Sequence, residues 1–159
     1  MAPLPAETAK AEALARFQAP PPEHINCGQA VLMYALLRLD EDPDSITNAK
    51  YFGGGFSGVG EMCGALTGAA LALGARDLAM TDRGMEPPAD TPDQLRGLLR
   101  DFSEEFGNRR CLDLTGFDLT TPEGNTAFRM SEIRSRCADY VAWAIDRLEP
   151  LLAPALALD

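Results

Sequence analysis

The sequence predicts an all-α protein, a compact single-domain bundle of about five to six helices, and three observations carry that prediction. Apolar residues recur at helical spacing over residues 26–39, 91–106 and 131–148. No run alternates apolar and polar residues as a half-buried strand would, and no segment repeats another. At 159 residues the chain is long enough to bury one core without staples.

Taken in order, residues 6–18 are alanine-rich, with Leu14 and Phe17 three apart, and predict a short helix with one packing face. Ala19-Pro20-Pro21-Pro22 stops it, which divides the chain into an N-terminal arm and linker (1–22), a helical body (23–149) and an apolar tail (150–159). Asn26 is a candidate N-cap for the helix over 26–39, whose stripe of Cys27, Ala30, Val31, Tyr34 and Leu37 turns Cys27 inward. Asp40 to Asp44, with Pro43, form a turn, and residues 45–52 suit two more helical turns. A glycine-rich loop then leads into a central helix over about 59–75, for which Gly74 is a suitable end. Residues 76–90 read as loop. Thr91-Pro92-Asp93-Gln94 reads as a capping box with proline at N1, opening a helix that runs to Gly107. Asn108 is placed to cap a short helix at Cys111, residues 115–130 read as irregular, and the last helix spans about 131–148.

The formal net charge of −10 disfavours nucleic acid and anionic membrane surfaces as partners. No run approaches the ~20 apolar residues of a spanning helix, and the N-terminus lacks the pattern of a secretory signal. A cytoplasmic, reducing location is the expectation, with no membrane insertion. Four cysteines in such a compartment point to metal ligands or redox thiols rather than structural disulfides.

Residues 53–74 hold eight of the fourteen glycines and one of the four cysteines, Cys63. Gly53, Gly54 and Gly55 describe a sharp turn, while Gly60, Gly64 and Gly68 recur every fourth residue and leave one helical stripe almost bare. A neighbouring helix or a compact inorganic group fits against such a stripe. Cys27, Cys63 and Cys111 fall in or near a first helical turn, where free N–H groups and the positive dipole end stabilise a thiolate. Buried cysteine is also a good small hydrophobe, so inert packing remains an alternative reading of each one. The cysteine spacings contain no C-x-x-C, which removes thioredoxin-type, zinc-knuckle, ferredoxin-type and haem-attachment patterns. His24, the single histidine, sits at a proline-rich edge and reads as exposed rather than as a ligand.

The order Cys27, Cys63-Gly64-Ala65-Leu66-Thr67-Gly68, Cys111 and Cys137 resembles the redox-active proteins of the C_GCAxxG_C_C type, named for that pattern. The resemblance extends from Asn26 to about Leu148 and includes NCGQAVL, GEMCGALTGA and FGNRRC; Gly28 departs from it, standing where alanine is expected. It implies a redox role with an unidentified redox partner protein. Two chemistries follow from it. In the first, Cys27, Cys63, Cys111 and Cys137 hold one iron–sulfur cluster, [2Fe–2S] being the expectation, with backbone N–H groups around Gly53, Gly54, Gly55, Gly60, Gly64 and Gly68 supporting it. In the second, the cysteines form dithiol/disulfide pairs and no cofactor is bound. A helical interaction module with four buried thiols is a third reading, structural zinc a fourth, and no catalytic residue is singled out. The arm and the tail each suit an apolar surface, in the same chain or in the second copy of a homodimer.

Overall fold

The computed structural model describes residues 2–157; among them the regular structure is helical, joined by turns and loops, with no strand and one isolated bridge between Met62 and Arg110. The helices are α1 (Ala6–Gln18), α2 (Cys27–Leu39), α3 (Gly53–Phe56), α4 (Gly64–Asp82), α5 (Thr91–Phe106), α6 (Cys111–Thr115), α7 (Pro122–Met130) and α8 (Ile133–Leu156), with a 3₁₀ segment at Pro43–Ala49. The all-α expectation stands. The helix count of five to six falls short because α3 and α7 are short and carry no apolar stripe long enough to see.

Helix α2 forms the centre, packed by α1, α4, α8 and the 3₁₀ segment. It is buried on nearly every side, from Ala30 to Leu36 and again at Leu39. Against it α1 buries Ala9, Ala13 and Phe17, and α8 buries Val141, Ala144, Ile145 and Leu148. Burying a large aliphatic side chain contributes roughly 1.5–3 kcal/mol, so this contact set carries the bundle. Glu149 of α8 accepts hydrogen bonds from Tyr34 and, in a fork, from Arg38 of α2.

Several boundaries differ from the sequence reading, each for a physical reason. Helix α4 begins at Gly64 with Cys63 as its N-cap, not near Val59, and runs past Gly74 to Asp82. Gly60 therefore lies off the helix, at φ +85°, and the bare stripe shrinks to Gly64 and Gly68. The extension through 76–82 is held by tertiary contacts. Arg76 is fully buried and donates to Asp77, Gln94, Thr91 and the Leu151 carbonyl, tying α4 to α5 and α8. That same guanidinium explains the shifted start of α5. Thr91 is its first residue and Asp90 its N-cap, because the Thr91 hydroxyl accepts from Arg76 and donates to the Pro88 carbonyl instead of capping. Residues 45–49 belong to the 3₁₀ segment and 50–52 to the turn after it, rather than to two α-helical turns. Within 115–130, expected to be irregular, Thr121 caps α7 through the Gly124 N–H at 3.0 Å.

Helix α8 continues through Pro150 and Pro154 as far as Leu156. A proline inside a helix removes one hydrogen bond and kinks the chain at a cost of ~3 kcal/mol. Leu152 and Ala155, almost fully buried, offset it, while the Leu151 and Ala155 carbonyls accept from Arg76 and Arg83. Leu158 and Asp159, the end of the expected tail, and Met1, the start of the expected arm, lie outside the described residues.

Candidate functional site

Each cysteine is placed by local chemistry that can be followed along the chain. Cys27 is the first residue of α2 because Asn26 caps that helix. The Asn26 Oδ1 accepts from the Gln29 N–H at 2.9 Å, and the Gln29 side chain accepts from the Asn26 N–H at 3.1 Å. Asn26 Nδ2 also donates to the carbonyls of Ala49 and Lys50, which fixes the entry to the glycine turn. In that turn Gly54 and Gly55 take φ +64° and +65°, a left-handed conformation open to glycine at little cost. The turn closes through Gly60 N–H to the Gly54 carbonyl and Glu61 N–H to the Gly55 carbonyl.

Past the turn, residues 60–63 run antiparallel to 109–112. Leu112 N–H donates to Gly60, Cys111 N–H to Glu61 at 2.7 Å, and Cys63 N–H to Arg109 at 2.7 Å. This ribbon brings the second and third cysteines together and starts α6 at Cys111. Asn108 does not cap that helix as the sequence suggests. Its carboxamide oxygen accepts from the Arg109 and Arg110 N–H groups, turning the chain into the ribbon. Cys137 arrives from the second turn of α8, on the stripe that packs inward.

All four cysteines line one small cavity of ≈ 20 Å³, together with Gly64, Leu114, Thr115 and Tyr140. Every one of the six cysteine pairs is close enough for the charge on one thiol to act on the other. Burial pushes all four thiols above the ordinary range. Cys111 rises to about 11 and Cys137 to about 12, burial being the first cause in each and the charge on Cys27 the next. Cys63 lies well above it, also by burial. Cys27 is raised by burial too, but there the backbone N–H groups of Gly28, Gly54 and Gly64 point at the sulfur and oppose the shift. The side chains are therefore neutral thiols at pH 7 unless a cation displaces their protons.

The six glycines singled out in the sequence divide by what they touch. Gly54 and Gly64 present N–H groups to the Cys27 sulfur. The others serve the scaffold. A Cβ on Gly53 would meet Asn26 at 2.9 Å, one on Gly55 the Glu61 backbone at 2.5 Å, one on Gly60 Leu112 at 2.8 Å, and one on Gly68 the Gly28 carbonyl at 2.6 Å. Thr115 and Tyr140 were not legible as site residues. Tyr140 sits three places after Cys137 on the same stripe, a spacing that reads as core, and its ring packs on Phe106 with centroids 4.8 Å apart. His24 is exposed and points to the Phe17 carbonyl, away from the cysteines.

The donor set tests which inorganic groups the site suits. Among the described residues, no three or more His, Cys, Asp or Glu side chains are gathered closely enough to hold one metal ion. The four sulfurs would have to draw together to hold either a single ion or a cluster. A two-iron cluster asks for four thiolates, two on each iron, and the four cysteines that line this cavity supply that number of donors. No carboxylate lines the cavity; Glu61 turns outward to Arg110 at 3.5 Å. No helix among the described residues is long and apolar enough to cross a membrane.

A family model described as "Putative redox-active protein (C_GCAxxG_C_C)" matches residues 25–151. No curated protein and no solved structure matches the chain.

Proposed function

The chain belongs to the C_GCAxxG_C_C family of redox-active proteins, and from that premise we propose that it is a one-electron carrier or redox sensor built on a single [2Fe–2S] cluster. The observation that carries this reading is the convergence of Cys27, Cys63, Cys111 and Cys137 on one cavity, three of them from helix starts and Cys137 from the second turn of α8. These four side chains would hold the cluster, which supplies reversible one-electron storage when bound. The rest of the chemistry belongs to this chain. The N–H groups of Gly28, Gly54 and Gly64 favour negative charge on the Cys27 sulfur, one of the levers that sets a cluster potential. Leu114 and Tyr140 line the cavity beside the sulfurs, and their apolar surface raises the penalty for charge there.

The second reading, a cofactor-free dithiol/disulfide protein, is favoured by the size of the cavity. At ≈ 20 Å³ it has the room of about one water, so sulfur–sulfur bonding needs less movement than the seating of a cluster. Its weakness is reactivity. Exchange requires a thiolate with access to its target, and burial holds these thiols protonated. Anaerobic purification followed by iron and acid-labile sulfide analysis tests the proposal. It predicts about two irons and two sulfides per chain; a protein fully folded and redox-competent with neither is the dithiol case.

A further inference from the structure

The charge of the chain is unevenly spread. Residues 108–137, which carry two of the four cysteines, hold five arginines and four carboxylates, whereas the remainder of the sequence is strongly acidic. Within that stretch Arg109, Arg129, Arg134 and Arg136 make no side-chain hydrogen bond or ion pair among the described residues. Every other arginine is engaged by a carboxylate or a carbonyl. Four arginines without a carboxylate partner leave this region of an acidic chain with uncompensated positive charge.

Three of them lie beside the cysteine centre, and Arg129 lies close enough to Arg134 for both to act on His24. The Arg109 carbonyl is the acceptor for the Cys63 N–H at 2.7 Å, and Arg109 lies two residues before Cys111. Arg136 precedes Cys137 directly, and Arg134 is one helical turn before it and close enough to act on its thiol. Arg129 is the penultimate residue of α7 and is followed by Met130, which at 85% exposure is the most exposed large apolar side chain described. Arginine and methionine are both enriched at protein interfaces, and a basic rim on an acidic molecule orients an approaching partner.

We propose that Arg109, Arg129, Arg134 and Arg136, with Met130 among them, form the docking surface for a protein electron carrier whose own docking face is rich in carboxylates. This rests on the redox reading of the cysteine centre. One electron passes in the complex, the centre and the carrier changing oxidation state by one in opposite senses. Charge complementarity selects the carrier: an acidic face meets this collar and is repelled by the rest of the molecule, so the encounter is oriented before contact.

An acidic plant-type ferredoxin in its oxidised state serves as the probe, with binding measured by titration calorimetry on both metal-free and iron-loaded protein. Binding is expected at about 10 mM salt and weakens sharply at about 150 mM, as the screening length falls from about 30 to about 8 Å. The R109Q/R129Q/R136Q variant should bind roughly tenfold more weakly or worse, the corresponding Arg→Lys variant should retain binding, and R96Q/R100Q on α5 should leave it unchanged. No binding at low salt, an equal loss in the α5 control, or a short DNA duplex binding as tightly through the same arginines overturns the proposal. Because binding is read without metal, its failure is separate from a failure of the cluster reading, which shows instead as absent iron.

Discussion

Replacing Cys27, Cys63, Cys111 or Cys137 by serine should each lower bound iron severely, by about tenfold or more, since loss of a ligand exceeds the 10–100-fold effect of outer-shell changes at metal sites. The four substitutions should behave alike, because the four sulfurs share one cavity and each lies in the field of the other three. Under dithiol chemistry the losses of activity would fall into two pairs, and iron would be irrelevant from the outset. For an interaction module with buried thiols, serine would cost only packing. Iron content and far-ultraviolet circular dichroism of the four variants separate these outcomes. Full iron retention in Cys111→Ser or Cys137→Ser would remove that residue from the ligand set.

Gly68→Ala should destabilise the fold, and Gly68→Val should do so more. The new methyl group at residue 68 would stand 2.6 Å from the Gly28 carbonyl oxygen, 2.9 Å from the Gly28 Cα and 3.0 Å from Val31 Cβ. Two of those atoms are backbone in the helix that carries Cys27, so α2 and α4 must separate. Overpacking of this kind costs ~1–3 kcal/mol, and each kcal/mol lowers the melting temperature by about 2–4 °C in a chain of this size. Gly64→Ala is tight in a different place, 3.0 Å from the Cys27 sulfur, 3.0 Å from the Phe52 carbonyl and 3.1 Å from the Gly28 nitrogen. It should lower iron occupancy as well as melting temperature. The control is Gly97, where the nearest atom to an added Cβ is the Arg100 Nη2 at 3.7 Å. There alanine should stabilise by up to ~1 kcal/mol through the backbone alone. Melting curves of the three alanine variants decide it; identical behaviour at 64, 68 and 97 would refute the close-approach account.

The parts of the site written in local chemistry were legible in the sequence. Asn26 as an N-cap states where α2 begins and therefore where Cys27 lies, and the inward stripe of α8 states which way Cys137 faces. What depends on distant partners was not. Arg76 looks like a loop residue because nothing near it in sequence announces Thr91, Gln94 or the Leu151 carbonyl, yet those groups extend α4 by two turns and displace the cap of α5. The ribbon joining residues 60–63 to 109–112 is too short to leave an alternating pattern, so the meeting of Cys63 with Cys111 is invisible until the chain is folded. Gly60 shares the every-fourth-residue spacing by coincidence of a turn with a helix, and spacing alone cannot tell the two apart.

The most direct test of a four-cysteine one-electron centre is an anaerobic reductive titration of the iron-loaded protein, counting electrons taken up per chain. One shared cluster predicts about one electron per chain, with a parallel change in its visible absorption. Uptake of about two electrons per chain, with two thiols appearing and no absorption change, would contradict it.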